Sequence, residues 1–116
     1  MSCIISAPAT GNGKTTVSLL ISSWAYSKGL NLQTFKVGPD YLDQQQLSSI
    51  NHPICRNLDI FLSGEKWIKK TFIKYASKVD LSFVEGAMGL FDGLGPTDFS
   101  STANVAKVLK LPIIFV

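Results

Sequence analysis

The chain has 116 residues, 46% of them hydrophobic and 16% charged, with a net charge of +3. This composition excludes a disordered chain, which could not bury enough apolar surface to offset the entropy of folding. So mild a positive charge does not argue for a nucleic-acid partner, the length suits one domain, and the apolar composition suggests a sheet buried on both faces.

The first element is a short apolar run at residues 3–6, read as a buried strand. A glycine-rich turn over 7–13 follows. Residues 14–28 then carry Val17, Leu20, Ile21, Trp24 and Ala25 at helical spacing, with Gly29 as the stop. A second strand is expected over 30–37. Strand, turn, helix and strand make one βαβ unit, whose crossover is right-handed. Residues 38–58 show no sustained period, and so long a connection usually means a functional loop. Part of it, 44–50, has no helix breaker.

A helix is predicted over 63–78, with Ser63 as its N-cap, a row of Lys66, Lys70, Lys74 and Lys78, and an apolar side of Trp67, Ile68, Phe72, Ile73 and Tyr75. A third strand over 79–85 leads into a glycine-rich loop at 86–95. A helix over 101–110 and a fourth strand over 112–116 complete the reading. Four strands and three helices would leave part of a parallel sheet bare. The expectation is therefore that the sequence ends inside its domain.

Cys3 and Cys55 stand in no metal or redox spacing, which argues against a zinc site and a disulfide scaffold. They read as packing residues. No apolar run approaches the ~20 residues of a membrane span, and no signal-peptide pattern opens the chain. A cytoplasmic protein with reduced thiols is expected. The lysine row reads as a solvated helix face, and His52, beside Pro53, as a structural loop residue.

The strongest local motif is Thr10-Gly11-Asn12-Gly13-Lys14-Thr15-Thr16 between a strand and a helix. It fits the P-loop pattern at Gly13, Lys14 and Thr15, with Pro8 where the first glycine would stand. Gly11 and Gly13 let successive N–H groups face a phosphate, and the helix start adds its positive dipole end. Lys14 would reach the β/γ-phosphates of ATP, and the Thr15 hydroxyl would bind Mg²⁺. Glu85, at the carboxyl end of the third strand, would face that metal. Asp40 and Asp43, after Gly38-Pro39, are candidates for the metal shell or for substrate contact, or else turn residues. Asp92-Gly93 carries the same two readings.

Together these residues resemble a known family. Phe35-Lys36-Val37-Gly38-Pro39-Asp40-Tyr41-Leu42-Asp43, Arg56-Asn57-Leu58-Asp59 and Glu85-Gly86-Ala87-Met88-Gly89-Leu90-Phe91-Asp92-Gly93 are similar to runs of the cobyrinic acid a,c-diamide synthase family. So are the P-loop, Ser101-Thr102-Ala103 and Leu111-Pro112. The matches occur in family order over essentially the whole chain. Departures fall at Gln44, Leu47, Asn51 and His52.

The resemblance implies a P-loop NTPase-like α/β fold and an ATP-dependent, glutamine-using amidoligase of cobalamin biosynthesis. It would amidate the a and c acetate carboxylates of cobyrinate through an acyl phosphate. By the same resemblance, Lys14, Thr15 and Glu85 would serve Mg-ATP, Asp40 the metal, and Asp43 and Asp92 the reacting centre. Family members are far longer, with a C-terminal glutaminase domain. The chain is thus expected to be the N-terminal part of the synthetase domain, without its ammonia source and inactive by itself. Three other readings compete with this one. A dethiobiotin-synthetase-like enzyme would lack the Gly38–Tyr41 and Met88 runs, and a partitioning ATPase would carry lysine at Ala9. A nucleotide-binding remnant without turnover stays open.

Overall fold

A computed structural model describes residues 1–9, 13–38, 55–93 and 101–116. Its elements are β1 (Ser2–Ser6), α1 (Lys14–Ser27), β2 (Leu32–Val37), β3 (Arg56–Leu58), α2 (Ile60–Ser63), α3 (Glu65–Ala76), β4 (Leu81–Glu85), α4 (Thr102–Leu109) and β5 (Ile113–Phe115). The described strands form one sheet in the order β3-β2-β4-β1-β5, and every pairing is parallel.

Successive side chains of a strand point to opposite faces, and both faces here are apolar. Ile4, Phe35, Val37 and Val84 meet Ile68 and Phe72 of α3 and Val105 and Ala106 of α4. Ile5, Leu32 and Phe83 meet Ala25 of α1, with Val17 and Ile21 alongside. The helices therefore cover β1, β2 and β4 from both sides, as near-continuous apolar strands require, while Ile113, Ile114 and Phe115 of β5 are exposed.

Four expectations need correction. The helical spacing over 14–28 selected Leu20 and Trp24 for the core, yet they are 65% and 52% exposed. The buried stripe is instead Lys14, Ser18, Ser22 and Ala25. Small side chains let the helix approach the sheet closely, and the larger ones are displaced to its flanks. Trp67 and Ile73 of α3 are likewise exposed, while Ile68 and Phe72 carry the packing.

Ser63 is not an N-cap. It ends α2, and Gly64, at φ 81°, precedes α3. Asp59 caps α2, accepting from the Phe61 and Leu62 N–H groups at 3.0 and 3.4 Å. The positive φ of Gly64 separates α3, which lies within the expected helix, from the short α2, which the sequence reading did not include.

A fifth strand, β3, lies where a loop was expected. It pairs Phe35 with Arg56, Lys36 with Asn57 and Val37 with Leu58. Three residues with a single aliphatic side chain carry no periodic signal, and at the sheet edge one ladder suffices. Cys55 immediately precedes this strand and is fully buried. The span 44–50 lies outside the described residues.

Other expectations hold. Gly29 follows α1 at φ 70°, with its N–H on the Tyr26 carbonyl at 3.1 Å. Lys66, Lys70, Lys74 and Lys78 are exposed. No described helix is long and apolar enough to cross a membrane.

Candidate functional site

The carboxyl ends of β1, β2 and β4 meet the start of α1. Gly13 stands at the helix start at φ 92°, ψ 14°, a left-handed conformation in which a side chain would be strained. Having no side chain, it cannot cap the N–H groups of the first turn, so that helix start suits an anion. Lys14 follows, only 7% exposed, and its Nζ donates to the Ala9 carbonyl at 3.3 Å. The Thr15 hydroxyl donates to Glu85 Oε1 at 2.6 Å. Thr16 is exposed on the same turn.

Glu85 ends β4 and is fully buried. Val84 faces α3 and α4, so its neighbour Glu85 faces α1. The register sets Glu85 between Lys36 of β2 and Ile5 of β1. Lys36, 2% exposed, has its Nζ 3.6 Å from Glu85 Oε1 and donates to the Gly86 carbonyl at 3.0 Å. A buried ammonium and carboxylate offset each other's loss of hydration. The result is a row of Lys36, Glu85 and Thr15, with Lys14 on the adjoining turn.

The loop after β4 is tied to the loop after β1. Gly86 N–H donates to the Ile5 carbonyl at 2.8 Å, and Leu90 N–H to the Ala7 carbonyl at 2.9 Å. Gly89 lies so near Pro8 that a Cβ there would sit 2.3 Å from the Pro8 carbonyl oxygen. Asp92 turns its Oδ2 back to the Gly89 N–H at 2.9 Å. On the other side of the loop, Thr102 Oγ1 accepts from the Ala87 N–H at 3.1 Å. Ser101 caps α4 by accepting from the Asn104 N–H at 3.1 Å.

A cavity of about 340 Å³ opens beside this loop, with Asp59, Asp92 and Thr102 as its polar lining and Phe61, Leu62 and Met88 among its apolar lining. Among the described residues, no three His, Cys, Asp or Glu side chains cluster as metal ligands. Two oxygen-bearing groups, Glu85 and Thr15, could form one edge of a hard-cation site.

Of the sequence candidates, Gly13, Lys14, Thr15 and Glu85 come together. Thr16 is exposed on the helix, and Asp92 lies in the β4–α4 loop on the cavity. Thr10, Gly11, Asn12, Asp40 and Asp43 lie outside the described residues. Sequence reasoning gave no separate role to Lys36, Asp59 or Thr102. The available signal for Lys36 was a lone cation inside a strand otherwise fit for burial.

No family model matches the chain. Curated relatives do. It is 44% identical over 119 residues to a cobyrinate a,c-diamide synthase of Synechocystis, covering 100% of this chain and 25% of that protein. It is 43% identical over 117 residues to one of Gloeobacter violaceus, covering 100% and 26%. It is 46% identical over 115 residues to one of Clostridium acetobutylicum, covering 99% and 26%. The chain spans about a quarter of the length of these relatives.

Proposed function

This chain belongs to the cobyrinate a,c-diamide synthase family, whose N-terminal quarter it matches, and we propose that it forms the ATP-binding and acceptor-facing part of such a ligase in cobalamin biosynthesis. The γ-phosphoryl group of ATP moves to an oxygen of an acetate carboxylate on cobyrinate, and ADP leaves. Ammonia then attacks the acyl carbon. The C–N bond forms, the C–O bond to phosphate breaks, phosphate leaves with the electron pair, and nitrogen sheds a proton. The activation is needed because a carboxylate is a poor electrophile and an acyl phosphate a good one.

The observation that carries this reading is the Thr15–Glu85 hydrogen bond at the start of a helix opened by Gly13 and Lys14. These residues fit a phosphate and its cation. A hydroxyl that donates to Glu85 keeps its lone pairs for Mg²⁺. Lys14 supplies a compact charge in a nearly dry turn, where it acts more strongly than in water. Lys36 holds the Glu85 carboxylate and the Gly86 carbonyl, and so fixes the strand end against which the first turn of α1 sits. Mg²⁺, when bound, neutralises phosphate charge and orients the transferring group.

Asp92, held by the Gly89 N–H, and Asp43 are proposed to act on the acceptor side, and Asp40 on the cation. Ammonia is proposed to come from a glutaminase domain or another source. Cys3 is half-buried in β1 and Cys55 fully buried, and neither is proposed as a glutaminase nucleophile, which needs an activating base.

The test is titration calorimetry of the chain with Mg-ATP. Saturable binding that is strongly weakened in Lys14→Ala is expected. No binding by the wild-type chain overturns the reading.

A further inference from the structure

Three large apolar side chains stand exposed around the 340 Å³ cavity: Phe61 at 58%, Leu62 at 68% and Met88 at 50%. They come from two segments, α2 and the β4–α4 loop, brought together at one end of the sheet. Apolar groups concentrated beside a cavity mark a surface that some ligand covers.

Each is held in place by identifiable bonds. A helix of four residues has little stability of its own, and α2 is secured by Asp59 accepting from Phe61 and Leu62 N–H. Met88 takes φ 51°, in the left-handed region that a side chain of its size rarely enters. Its neighbours impose this conformation. Ala87 bonds Thr102 Oγ1 through both its N–H and its carbonyl, Gly89 N–H bonds Asp92, and Leu90 N–H bonds Ala7. Backbone strain enforced from both sides is found where a side chain must be aimed.

We infer that Phe61, Leu62 and Met88 form an apolar clamp for one edge of a flat ring acceptor, and that this clamp sets acceptor specificity. The inference rests on the amidation reading above, and the occupant is cobyrinate, for which the relatives are named. A cavity of about 340 Å³ is too small to enclose a tetrapyrrole-sized ring and suits one edge of it. The remainder of the ring lies across the exposed clamp. Asp59 and Asp92 on the same lining mark its polar side, and the ring edge meets Phe61, Leu62 and Met88 on its apolar side. A flexible aliphatic diacid, without an apolar face, gains nothing from the clamp.

The experiment follows cobyrinate binding to the full chain by equilibrium dialysis and Mg-ADP binding separately by calorimetry. Phe61→Ala and Met88→Ala should each weaken cobyrinate by about five- to tenfold, the scale of one apolar side chain lost from contact. Mg-ADP affinity should stay within about twofold, since among the described residues neither side chain bonds to the first turn of α1. Heptanedioate, the diacid control, should not compete. Met88→Gly relieves the positive φ and should weaken cobyrinate while the Tm holds or rises. Unchanged cobyrinate binding in the double variant Phe61→Ala/Met88→Ala, equal competition by heptanedioate, or a wild-type chain that binds Mg-ADP but no cobyrinate would each overturn the clamp. A wild-type chain that binds cobyrinate through the clamp but no Mg-ADP upholds the clamp and strikes the phosphate reading alone.

Discussion

Thr15 and Glu85, seventy positions apart, share a 2.6 Å hydrogen bond that ties the first turn of α1 to the end of β4. The hydroxyl of a helix start and the carboxylate of a strand end thus belong to one unit. Its charge is balanced by Lys36, 3.6 Å from the same carboxylate oxygen.

Loss of the Lys14 ammonium should be felt in nucleotide affinity more than in stability. Lys14→Ala removes a charge-assisted contact, and Mg-ATP affinity should fall roughly tenfold to a hundredfold. Calorimetric titration of variant and wild type measures this. An affinity within twofold of wild type would contradict the assignment.

Glu85→Gln should act on both cation dependence and stability. Glutamine can still accept from Thr15, but it removes the carboxylate charge that lies 3.6 Å from the buried Lys36 ammonium. Breaking a buried pair from one side destabilises by roughly 3 kcal/mol, so the Tm should drop by roughly 10 °C. Lys36→Met combined with Glu85→Gln should restore much of that loss but not Mg²⁺-dependent ATP binding. Thermal melts and Mg²⁺ titrations of the three variants separate the two effects.

Gly89→Ala should be worse than Gly86→Ala. A Cβ at Gly89 meets the Pro8 carbonyl oxygen at 2.3 Å, whereas one at Gly86 meets the Thr102 side chain at 2.8 Å and a backbone oxygen, that of Ile5, only at 3.1 Å. A side chain can yield where a backbone oxygen cannot. The Gly89 change should cost about 2 kcal/mol and displace the loop before α1. Denaturant unfolding should rank the two in that order.

Burial pushes the Cys3 thiol above its ordinary value. The thiol form is therefore favoured in the folded chain. Its stabilising contribution is intact below the ordinary thiol range and is lost as pH rises through the folded value. Iodoacetamide should modify Cys3 more slowly than a free thiol near pH 8, and the difference should shrink in alkali. Modification at the free-thiol rate near pH 8 would be inconsistent with that burial.

Short apolar runs and their intervening glycines were enough to read β1, β2, β4 and β5 from the sequence, along with the helices at 14 and 102 and the stop at Gly29. Each depends on residues within one or two turns of one another. The Gly13-Lys14-Thr15 turn was readable for the same reason, and Glu85 was readable as a strand-end carboxylate.

Tertiary structure alone decided which side of α1 is buried, since the match of small Ser18 and Ser22 to the sheet outweighs the larger hydrophobic side chains of Leu20 and Trp24. It decided β3, whose three residues become a strand only because β2 offers an open edge. It also set Lys36 beside Glu85 and Gly89 against Pro8. These are contacts between segments far apart in the chain. Hydrophobic period reports the face a residue prefers, but register and crossover determine which distant group it meets.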